Sequence, residues 1–345
     1  MKEIRTIEFK KDTLYLIDQR KLPISYEIFE CKTYEDVDFA IKDMVVRGAP
    51  AIGATAAYGV VLAAKEFLKE NKGKFLANME EALDLLNKSR PTAVNLMWAI
   101  SRMRNIIERS KALPVGNIYE KLKREADIIL NEDIETNKKM AKHGNQIVGQ
   151  NATILTHCNT GALATAGFGT ALGVIREAFY SGKNIFVYAD ETRPRLQGGR
   201  LTAWELVEEG IPSTLIVDSV AATLIRDGKI DLILVGADRV ALNGDTANKI
   251  GTFMLSVLAK EYNIPFYVVA PTTTIDFNIN TGKEIDIEER DSKEVTYIEN
   301  IRIAPEGIDV YNPAFDVTPN EHITGIITEK GILKPPFKEN ILKIK

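Results

Sequence analysis

The second half of the chain alternates short apolar runs with longer stretches of helical spacing. Each apolar run is five or six residues long, which is the length of a buried strand. This alternation is typical of βαβ units and predicts an α/β fold with a mostly parallel, doubly wound sheet. The predicted strands cover residues 153–157, 184–189, 213–217, 231–235 and 265–269. The predicted helices cover residues 161–181, 202–209, 220–227 and 251–262.

The first half begins with a two-residue period and continues with helical spacing. Three alternating segments at residues 3–9, 13–17 and 24–29 predict a small antiparallel sheet. Thr33 is a suitable N-cap for a helix over residues 34–44, and Asn117 for a long charged helix reaching residue 148. The helices predicted between these two cover residues 54–69, 75–88 and 94–110.

These patterns divide the chain into two domains. We predict a small N-terminal α+β domain over residues 1–120 and a linking helix over residues 121–148. The larger α/β domain follows over residues 149–345. A length of 345 residues suits two domains of ordinary size.

Composition narrows the class of protein. The net charge of -4 provides no basic face for nucleic acid. The longest apolar run, residues 49–64, is interrupted by glycines and too short to span a bilayer. The charged N-terminus does not resemble a secretory signal peptide. The two cysteines, Cys31 and Cys158, form neither a disulfide framework nor a zinc motif. We therefore expect a cytoplasmic protein in a reducing compartment.

Residues 231–253 combine a predicted strand with polar groups at its end. Asp238 follows the apolar run 232–235, so it should lie at the carboxyl end of a strand, where open parallel sheets bind ligands. A turn over residues 243–245 is followed by residues 246–251, which we predict to open a helix. Lys249 at a helix start would favour an anion such as phosphate. The alternative is an ordinary strand–turn–helix in which Asp238 is a loop residue.

The predicted strand tips carry further polar residues that should converge on one edge of the sheet. They are Cys158, Asp190, Asp218, Asp238 and the segment 271–273. A helix starting behind Cys158 would lower the pKa of its thiol, although a free cysteine is more often buried and inert. His157 would be a general base for that thiol, but neighbouring residues in a strand point to opposite faces. With three histidines in the chain, we predict no metal site.

Several arginines precede predicted helix starts. Arg47 stands before Gly48 and Ala49, where backbone N–H groups and a guanidinium together suit a phosphate group. Arg90 precedes a proline, and residues 191–200 form a polar loop dense in donors. Any single arginine is more often a solvated charge, but several beside strand tips favour a phosphorylated small molecule. The spacings match neither a P-loop nor GxGxxG, so no nucleotide cofactor is predicted.

Long motifs in fixed order give the chain a resemblance to a known family. They are LIDQRKLP at 16–23, RGAPAIG at 47–53, RPTAVNL at 90–96, THCNTGALAT at 156–165, ETRPRLQGGRLTAWEL at 191–206, GADRVALNGDTANKIGTF at 236–253, PTTTID at 271–276 and NPAFDVTP at 312–319. Together they resemble the methylthioribose-1-phosphate isomerase family, which shares a superfamily with regulatory subunits of translation initiation factor two-B. The resemblance covers nearly the whole chain.

The resemblance implies a Rossmann-like C-terminal domain, a homodimer, and an aldose–ketose isomerase of methionine salvage. The implied substrate is 5-methylthioribose 1-phosphate, and no metal or nucleotide cofactor is implied. The catalytic residues of the family fall on Cys158 and Asp238. Its substrate contacts fall on Arg47, Gly48, Ala49, Arg90, Gln197, Asn248 and Lys249.

Two other functions stay open at this level. One is isomerisation of a different ribose 1-phosphate, such as ribose 1,5-bisphosphate, which would need a basic rather than an apolar slot at C5. The other is a regulatory subunit that keeps a sugar-phosphate pocket without turnover. The presence of both Cys158 and Asp238 inside intact motifs favours the isomerase.

Overall fold

The computed structural model describes residues 4–90 and 94–345. The described chain forms two compact units. The N-terminal unit extends to Thr136 and also takes in Ala162–Gly169. The C-terminal unit comprises Asn137–Gly161 and Thr170–Lys345. The predicted limits at residues 120 and 148 stay a prediction.

The N-terminal unit begins with the predicted antiparallel sheet. Its strands are β1 (Ile7–Lys10), β2 (Thr13–Ile17) and β3 (Ile28–Cys31), in that order. The third strand starts later than the predicted residue 24. The chain turns before it, with Ser25 N–H donating to the Lys21 carbonyl, and Ile24 is 82% exposed. Pairing with β2 therefore starts only at Ile28.

Five helices complete this unit and begin the next. They are α1 (Tyr34–Lys42), α2 (Ala49–Glu66), α3 (Lys72–Asn87), α4 (Val94–Ser110) and α5 (Val115–Asn145). Thr33 caps α1 as predicted, because its side chain accepts from Asp36 N–H and the Asp36 side chain accepts in return. Asn117 is not a cap, since α5 already begins at Val115. Pro114 supplies the fixed φ of a helix start and accepts from the N–H of Asn117.

The core of the N-terminal unit is built around α2. Small residues along this helix allow close approach of neighbouring elements, and every position from Ala51 to Ala64 is buried. Val37 of α1, Leu86 of α3 and Met103 of α4 belong to the same apolar cluster.

The C-terminal unit contains the predicted, mostly parallel sheet. Its strands are β4 (Thr153–Thr156), β5 (Phe186–Asp190), β6 (Ser213–Ile216), β7 (Leu232–Val235), β10 (Phe266–Val269), β15 (Gly325–Thr328) and β16 (Gly331–Leu333). Their order is β16-β15-β10-β7-β4-β5-β6, and only β16 runs antiparallel to its neighbour. All five predicted strands are present within two residues of their expected limits. The mixed α/β class is therefore confirmed.

The four helices predicted in this unit are all shorter in the structure. They are α6 (Ala171–Tyr180), α7 (Ala203–Glu208), α8 (Val220–Arg226) and α9 (Thr252–Glu261). Two further helices, α10 (Lys293–Thr296) and α11 (Phe337–Leu342), were not predicted. The helix predicted from residue 161 was wrong over its first ten residues. Residues 162–169, which include two glycines, belong to the N-terminal unit. A side chain at Gly161 would overlap the Glu205 carboxylate, because the backbone at Gly161 packs directly against that group.

A second sheet overturns the helix predicted at residues 246–251. Its strands are β8 (Arg239–Ala241), β9 (Thr246–Lys249), β11 (Ile275–Asp276) and β14 (Phe315–Thr318), in the order β11-β8-β9-β14. A separate antiparallel pair consists of β12 (Tyr297–Ile298) and β13 (Ile301–Arg302). Asn243-Gly244 joins β8 to β9 as a hairpin, with Gly244 at φ +93°. The turn predicted at residues 243–245 is therefore present, but Asn-Gly is a strong signal for a hairpin, which the helical interpretation overlooked.

Among the helices formed by residues 4–90 and 94–345, none is both long and apolar enough to cross a membrane.

Alanine variants at two glycines with positive φ should show how much stability is lost to backbone strain alone and how much to steric overlap. Gly48 has φ +97°, and a Cβ there would overlap the carbonyl of Ala164 in the same unit. Gly182 has φ +87°, but its Cβ would meet open space in the described structure. We expect Gly182→Ala to cost about 1 kcal/mol from the positive φ alone. Gly48→Ala should cost about 3 kcal/mol or more, because overlap adds to the strain. Urea unfolding midpoints measure the loss of stability in each variant. Equal losses in the two variants would contradict the close packing at Gly48.

Candidate active site

The polar residues at the strand tips meet through hydrogen bonds. Cys158 follows β4, Asp190 ends β5 and Asp218 follows β6. The Asp218 carboxylate accepts from the N–H groups of Thr192 and Arg193, at 2.7 and 2.8 Å. This fastens the loop after β5 to the tip of β6. The predicted convergence of these three tips is therefore present in the structure.

The remaining predicted tips are held by other partners. Asp238 follows β7 and is half-buried, and its N–H donates to the carbonyl of Ala247 in β9 at 2.9 Å. Thr272, after β10, donates its N–H and hydroxyl to the Glu329 carboxylate. The segment 271–273 thus lies at the strand ends but is joined to the turn after β15.

Cys158 has an unusual backbone conformation. Its φ is +63°, in the left-handed region that residues with a Cβ seldom adopt. Its N–H donates to the Thr192 hydroxyl at 2.8 Å, and its carbonyl accepts from the Thr202 hydroxyl at 2.6 Å. The side chain is 9% exposed. The helix start predicted behind this cysteine was wrong, because the next α-helix begins at Ala171.

His157 is fully buried and hydrogen-bonded through both ring nitrogens. Its Nε2 donates to the carbonyl of Ile250, and its Nδ1 lies 2.9 Å from the Asp190 carboxylate. Burial by itself disfavours the imidazolium. The carboxylate of Asp190, the Ile250 carbonyl and the charge of Asp218 outweigh it and raise the pKa of His157. His157 thereby joins the β4 tip to the segment that leads from β9 into α9.

A group of metal-type ligands is present that the sequence did not suggest. Atoms of His157, Asp190 and Asp218 lie within 4.8 Å of one another, the one such group in the part of the chain that the structure describes. Hydrogen bonds already engage both nitrogens of His157, both carboxylate oxygens of Asp218 and one carboxylate oxygen of Asp190. The two N–H groups aimed at Asp218 would also face a cation with the wrong polarity. The donor set suits a hydrogen-bond network better than a metal ion.

Gln197 lies in the predicted polar loop, immediately before the turn of helix formed by Gly198–Thr202. Its side chain is buried, and within the described ranges its Oε1 has no hydrogen-bond partner. A buried amide oxygen in that condition suits a ligand that donates a hydrogen bond. Gly198 permits this arrangement, because a Cβ there would overlap the carbonyl of Asp190.

Asn248 and Lys249 lie on β9 and are both buried. The Lys249 ammonium donates to the carbonyl of Ala314 at 2.9 Å and lies 4.6 Å from the centre of the Phe315 ring. Asn248 donates to the Thr252 hydroxyl at 3.0 Å. Neither residue opens a helix.

Asp316 occupies the helix start that was expected to hold an anion. Its carboxylate accepts from Gly251 N–H at 2.7 Å and Phe253 N–H at 3.0 Å, at the first turn of α9. Burial outweighs these bonds and the charges of His157 and Lys249, and raises the pKa of Asp316 to about 6. Sequence reasoning missed this residue, although it lies within the NPAFDVTP motif.

The N-terminal unit carries the other predicted substrate contacts. Gly48 is the N-cap of α2 and Ala49 its first residue, and among the described residues no side chain caps this helix. Arg47 precedes them and is partly exposed, as is Arg90. The remainder of the RPT motif, residues 91–93, lies outside the described residues. The predicted anion-binding arrangement of backbone N–H groups at the start of α2 is thus available in this unit.

Comparison with known proteins gives a consistent family. Residues 45–335 match the Initiation factor 2 subunit family. The chain is 77% identical over 345 residues to a methylthioribose-1-phosphate isomerase of Caldanaerobacter subterraneus subsp. tengcongensis, covering 100% of both proteins. It is 45% identical to the crystal structure of 5-methylthioribose 1-phosphate isomerase from Pyrococcus horikoshii OT3. That match has a TM-score of 0.95 and covers 100% of this chain and 97% of the other.

The structure of a protein with a different name is nearly as similar. The translation initiation factor eIF-2B, subunit delta, from A. fulgidus is 44% identical with a TM-score of 0.90, and the match covers 99% of each chain. Structural similarity by itself therefore does not separate an isomerase from a translation factor subunit.

The buried His157 pair should make stability depend on pH. A histidine whose pKa is raised by folding stabilises the folded state below its unfolded pKa of about 6.5, and this contribution is lost as pH rises through the folded pKa. His157→Gln should therefore destabilise the protein by about 3 kcal/mol at low pH. The difference from wild type should shrink above about pH 6.5. Urea unfolding midpoints of the variant and the wild type, taken at pH values below and above about 6.5, measure this difference. His143→Gln on α5 is the control. A difference that widens with pH would contradict the charged pair.

Proposed function

Since the chain belongs to the methylthioribose-1-phosphate isomerase family, we propose that it converts 5-methylthioribose 1-phosphate to 5-methylthioribulose 1-phosphate. This is an aldose–ketose isomerisation, which we place in methionine salvage. Full-length identity of 77% to a relative of this name carries the proposal. The buried, hydrogen-bonded setting of Cys158 supports it, because strained and tightly held residues cluster at functional sites.

The substrate sets a specific chemical difficulty. An ordinary aldose opens its ring by releasing the anomeric hydroxyl, but here a phosphate group occupies that oxygen. Ring opening then needs a proton on the ring oxygen, which leaves positive charge at C1. A hydrogen must next move from C2 to C1, and the C2 hydroxyl must lose its proton as the carbonyl forms.

We assign the acid to Asp238. An aspartate with the ordinary pKa of about 3.9 is a poor acid at neutral pH, so this role requires a site from which water is excluded. The half-buried position after β7, among apolar neighbours such as Val235 and Val240, supports such a setting. The ring oxygen gains one proton and the C2 hydroxyl loses one. A single carboxyl group that gives a proton and later accepts one therefore balances the reaction.

We assign the transfer of hydrogen from C2 to C1 to Cys158. As a thiolate it would remove the C2 proton to give a phosphorylated enol, and the resulting thiol would return that proton to C1. The alternative is a direct hydride shift, with Cys158 shaping the site. In neither route does the chain supply a metal or nucleotide, and the absence of a cofactor remains a prediction.

The remaining predicted residues are assigned to binding. Arg47 and Arg90, with the N–H groups of Gly48 and Ala49, would bind the phosphate group. Gln197, Asn248 and Lys249 would contact the sugar phosphate, and the buried Gln197 Oε1 supports a hydroxyl donor on the ligand. Charge-assisted contacts of this kind contribute about 1.5–3 kcal/mol each. The homodimer and the cytoplasmic location are further proposals from the resemblance.

A regulatory subunit is the second candidate function, because the chain is similar to a protein named as a translation initiation factor subunit. Such a protein would bind a sugar phosphate without converting it. Copurification with other translation-factor subunits would favour this function.

The first test is turnover of 5-methylthioribose 1-phosphate by wild type, Cys158→Ser and Asp238→Asn. Removing a general acid should lower kcat by about 10²–10⁴-fold, and a similar loss is expected for the cysteine. Cys31→Ala and Asp227→Asn are matched controls away from the strand tips and should keep wild-type rates. Circular dichroism checks folding. A folded wild type that binds the sugar phosphate but does not convert it would support the regulatory function. If the wild type converts ribose 1,5-bisphosphate but not 5-methylthioribose 1-phosphate, the proposed substrate is wrong.

The second test separates the two routes of hydrogen transfer. Substrate labelled with deuterium at C2 is converted in ordinary water, and the product is analysed at C1 by mass spectrometry. Transfer through the Cys158 thiol should lose part of the label, because a thiol proton exchanges with any water that reaches it. Complete retention of deuterium would instead favour the direct hydride shift. The reverse experiment, unlabelled substrate in heavy water, is the control.

A further inference from the structure

We propose that Thr192 and Thr202 are positioning residues that together hold Cys158 in its left-handed conformation. The inference rests on the proposed role of Cys158 in hydrogen transfer and adds the residues that aim its thiol. Both threonines are fully buried, at 0% exposure, so neither is placed to touch substrate itself. One binds the N–H of Cys158 and the other its carbonyl.

The polarity of the Thr192 contact is set by its surroundings. Its hydroxyl donates to the carbonyl of Asp190 at 3.1 Å, so its single proton is used there. A lone pair is then left to accept from Cys158 N–H. The backbone of Thr192 is itself at φ +64° and is fastened to the Asp218 carboxylate. We call the two hydroxyls of Thr192 and Thr202 that hold the backbone of Cys158 the clamp. The Thr192 side of the clamp is therefore anchored to the tips of β5 and β6.

The Thr202 contact has the opposite polarity. Its hydroxyl proton goes to the carbonyl of Cys158, and its lone pair accepts from the Asn159 amide at 3.2 Å. The same amide also donates to Glu205 at 2.7 Å. Glu205 is in turn paired with the buried Arg176 at 2.5 Å. A buried ion pair thus anchors the second side of the clamp.

These contacts oppose the intrinsic preference of Cys158. A residue with a Cβ favours extended or right-handed backbone, and either would redirect the Cα–Cβ bond and the thiol. Removing one hydroxyl leaves a buried N–H or carbonyl of Cys158 unpaired and lets the backbone relax. The expected consequence is a misaimed thiol, with loss of chemistry while substrate binding is kept.

The experiment compares valine and serine at both positions. Thr202→Val and Thr192→Val keep the shape but lose the hydroxyl, whereas Thr202→Ser and Thr192→Ser keep the hydroxyl. Thr328→Val is the matched control, because it removes a buried threonine-to-carbonyl bond in the β15–β16 hairpin, three strands from β4. Where a valine variant does not fold by circular dichroism, the alanine variant at that position replaces it.

Two readouts are measured on each folded variant. Valine should lower kcat by about tenfold or more with KM within about twofold, since small misplacements of reacting groups are costly. It should also speed alkylation of Cys158 at least about threefold, because a looser backbone exposes the thiol more often. The serine variants, which keep the hydroxyl, should have the kcat and the Cys158 alkylation rate of the wild type. Cys31 is an internal reference in peptide mapping, because burial, with a contribution from Asp36, raises its pKa to about 12.

The outcomes separate the clamp from the isomerase proposal. Valine variants with wild-type kcat and alkylation would overturn the clamp, as would folded serine variants that are as impaired as valine. A rise in KM at unchanged kcat would also overturn it, since it indicates a binding role. If wild type shows no turnover, the isomerase proposal fails, and the alkylation rates still decide whether the threonines hold Cys158.

Discussion

The hydrogen bonds around the end of β4 are the constraint on which the C-terminal unit depends. His157 and Cys158 bring a ring, an N–H and a carbonyl into a region almost without solvent, and each polar group there must find a partner. Asp190, Thr192 and Thr202 supply these partners from the next strand and the loop that follows it. The position of Cys158 is thus a consequence of satisfying buried polar groups.

The same constraint explains why glycines surround the site. Gly198 lies against the carbonyl of Asp190, Gly251 against the His157 ring, and Gly161 against the Glu205 carboxylate. At each position a Cβ would overlap a member of the hydrogen-bond network. The close approach of backbone to network fixes the loops after β4 and β5, and a reacting group on a fixed loop loses little entropy when it acts.

The fold is shared by a protein named as an isomerase and by a protein named as a translation factor subunit. A common fold therefore does not decide between catalysis and binding, which depend on individual side chains. In this chain the proposed acid and thiol lie after adjacent strands of the sheet, β7 and β4. A regulatory protein would have no chemical need for a strained cysteine, so the left-handed Cys158 is a physical argument for turnover.

The sequence alone predicts the α/β class, five of the six parallel strands, the Thr33 cap and the strand tips that carry Cys158, Asp190, Asp218 and Asp238. Periodicity and caps are local, so they can be read without the fold. It did not predict the β8–β9 hairpin, the left-handed Cys158, or Asp316 at the start of α9. The hairpin had a local Asn-Gly signal that was interpreted as a helix start. The conformation of Cys158 and the position of Asp316, in contrast, depend on partners distant in sequence, which only the folded chain brings together. The Thr192 and Thr202 hydroxyls stabilise a conformation that Cys158 would not adopt alone, and Asp316 reaches Gly251 across 65 positions of chain.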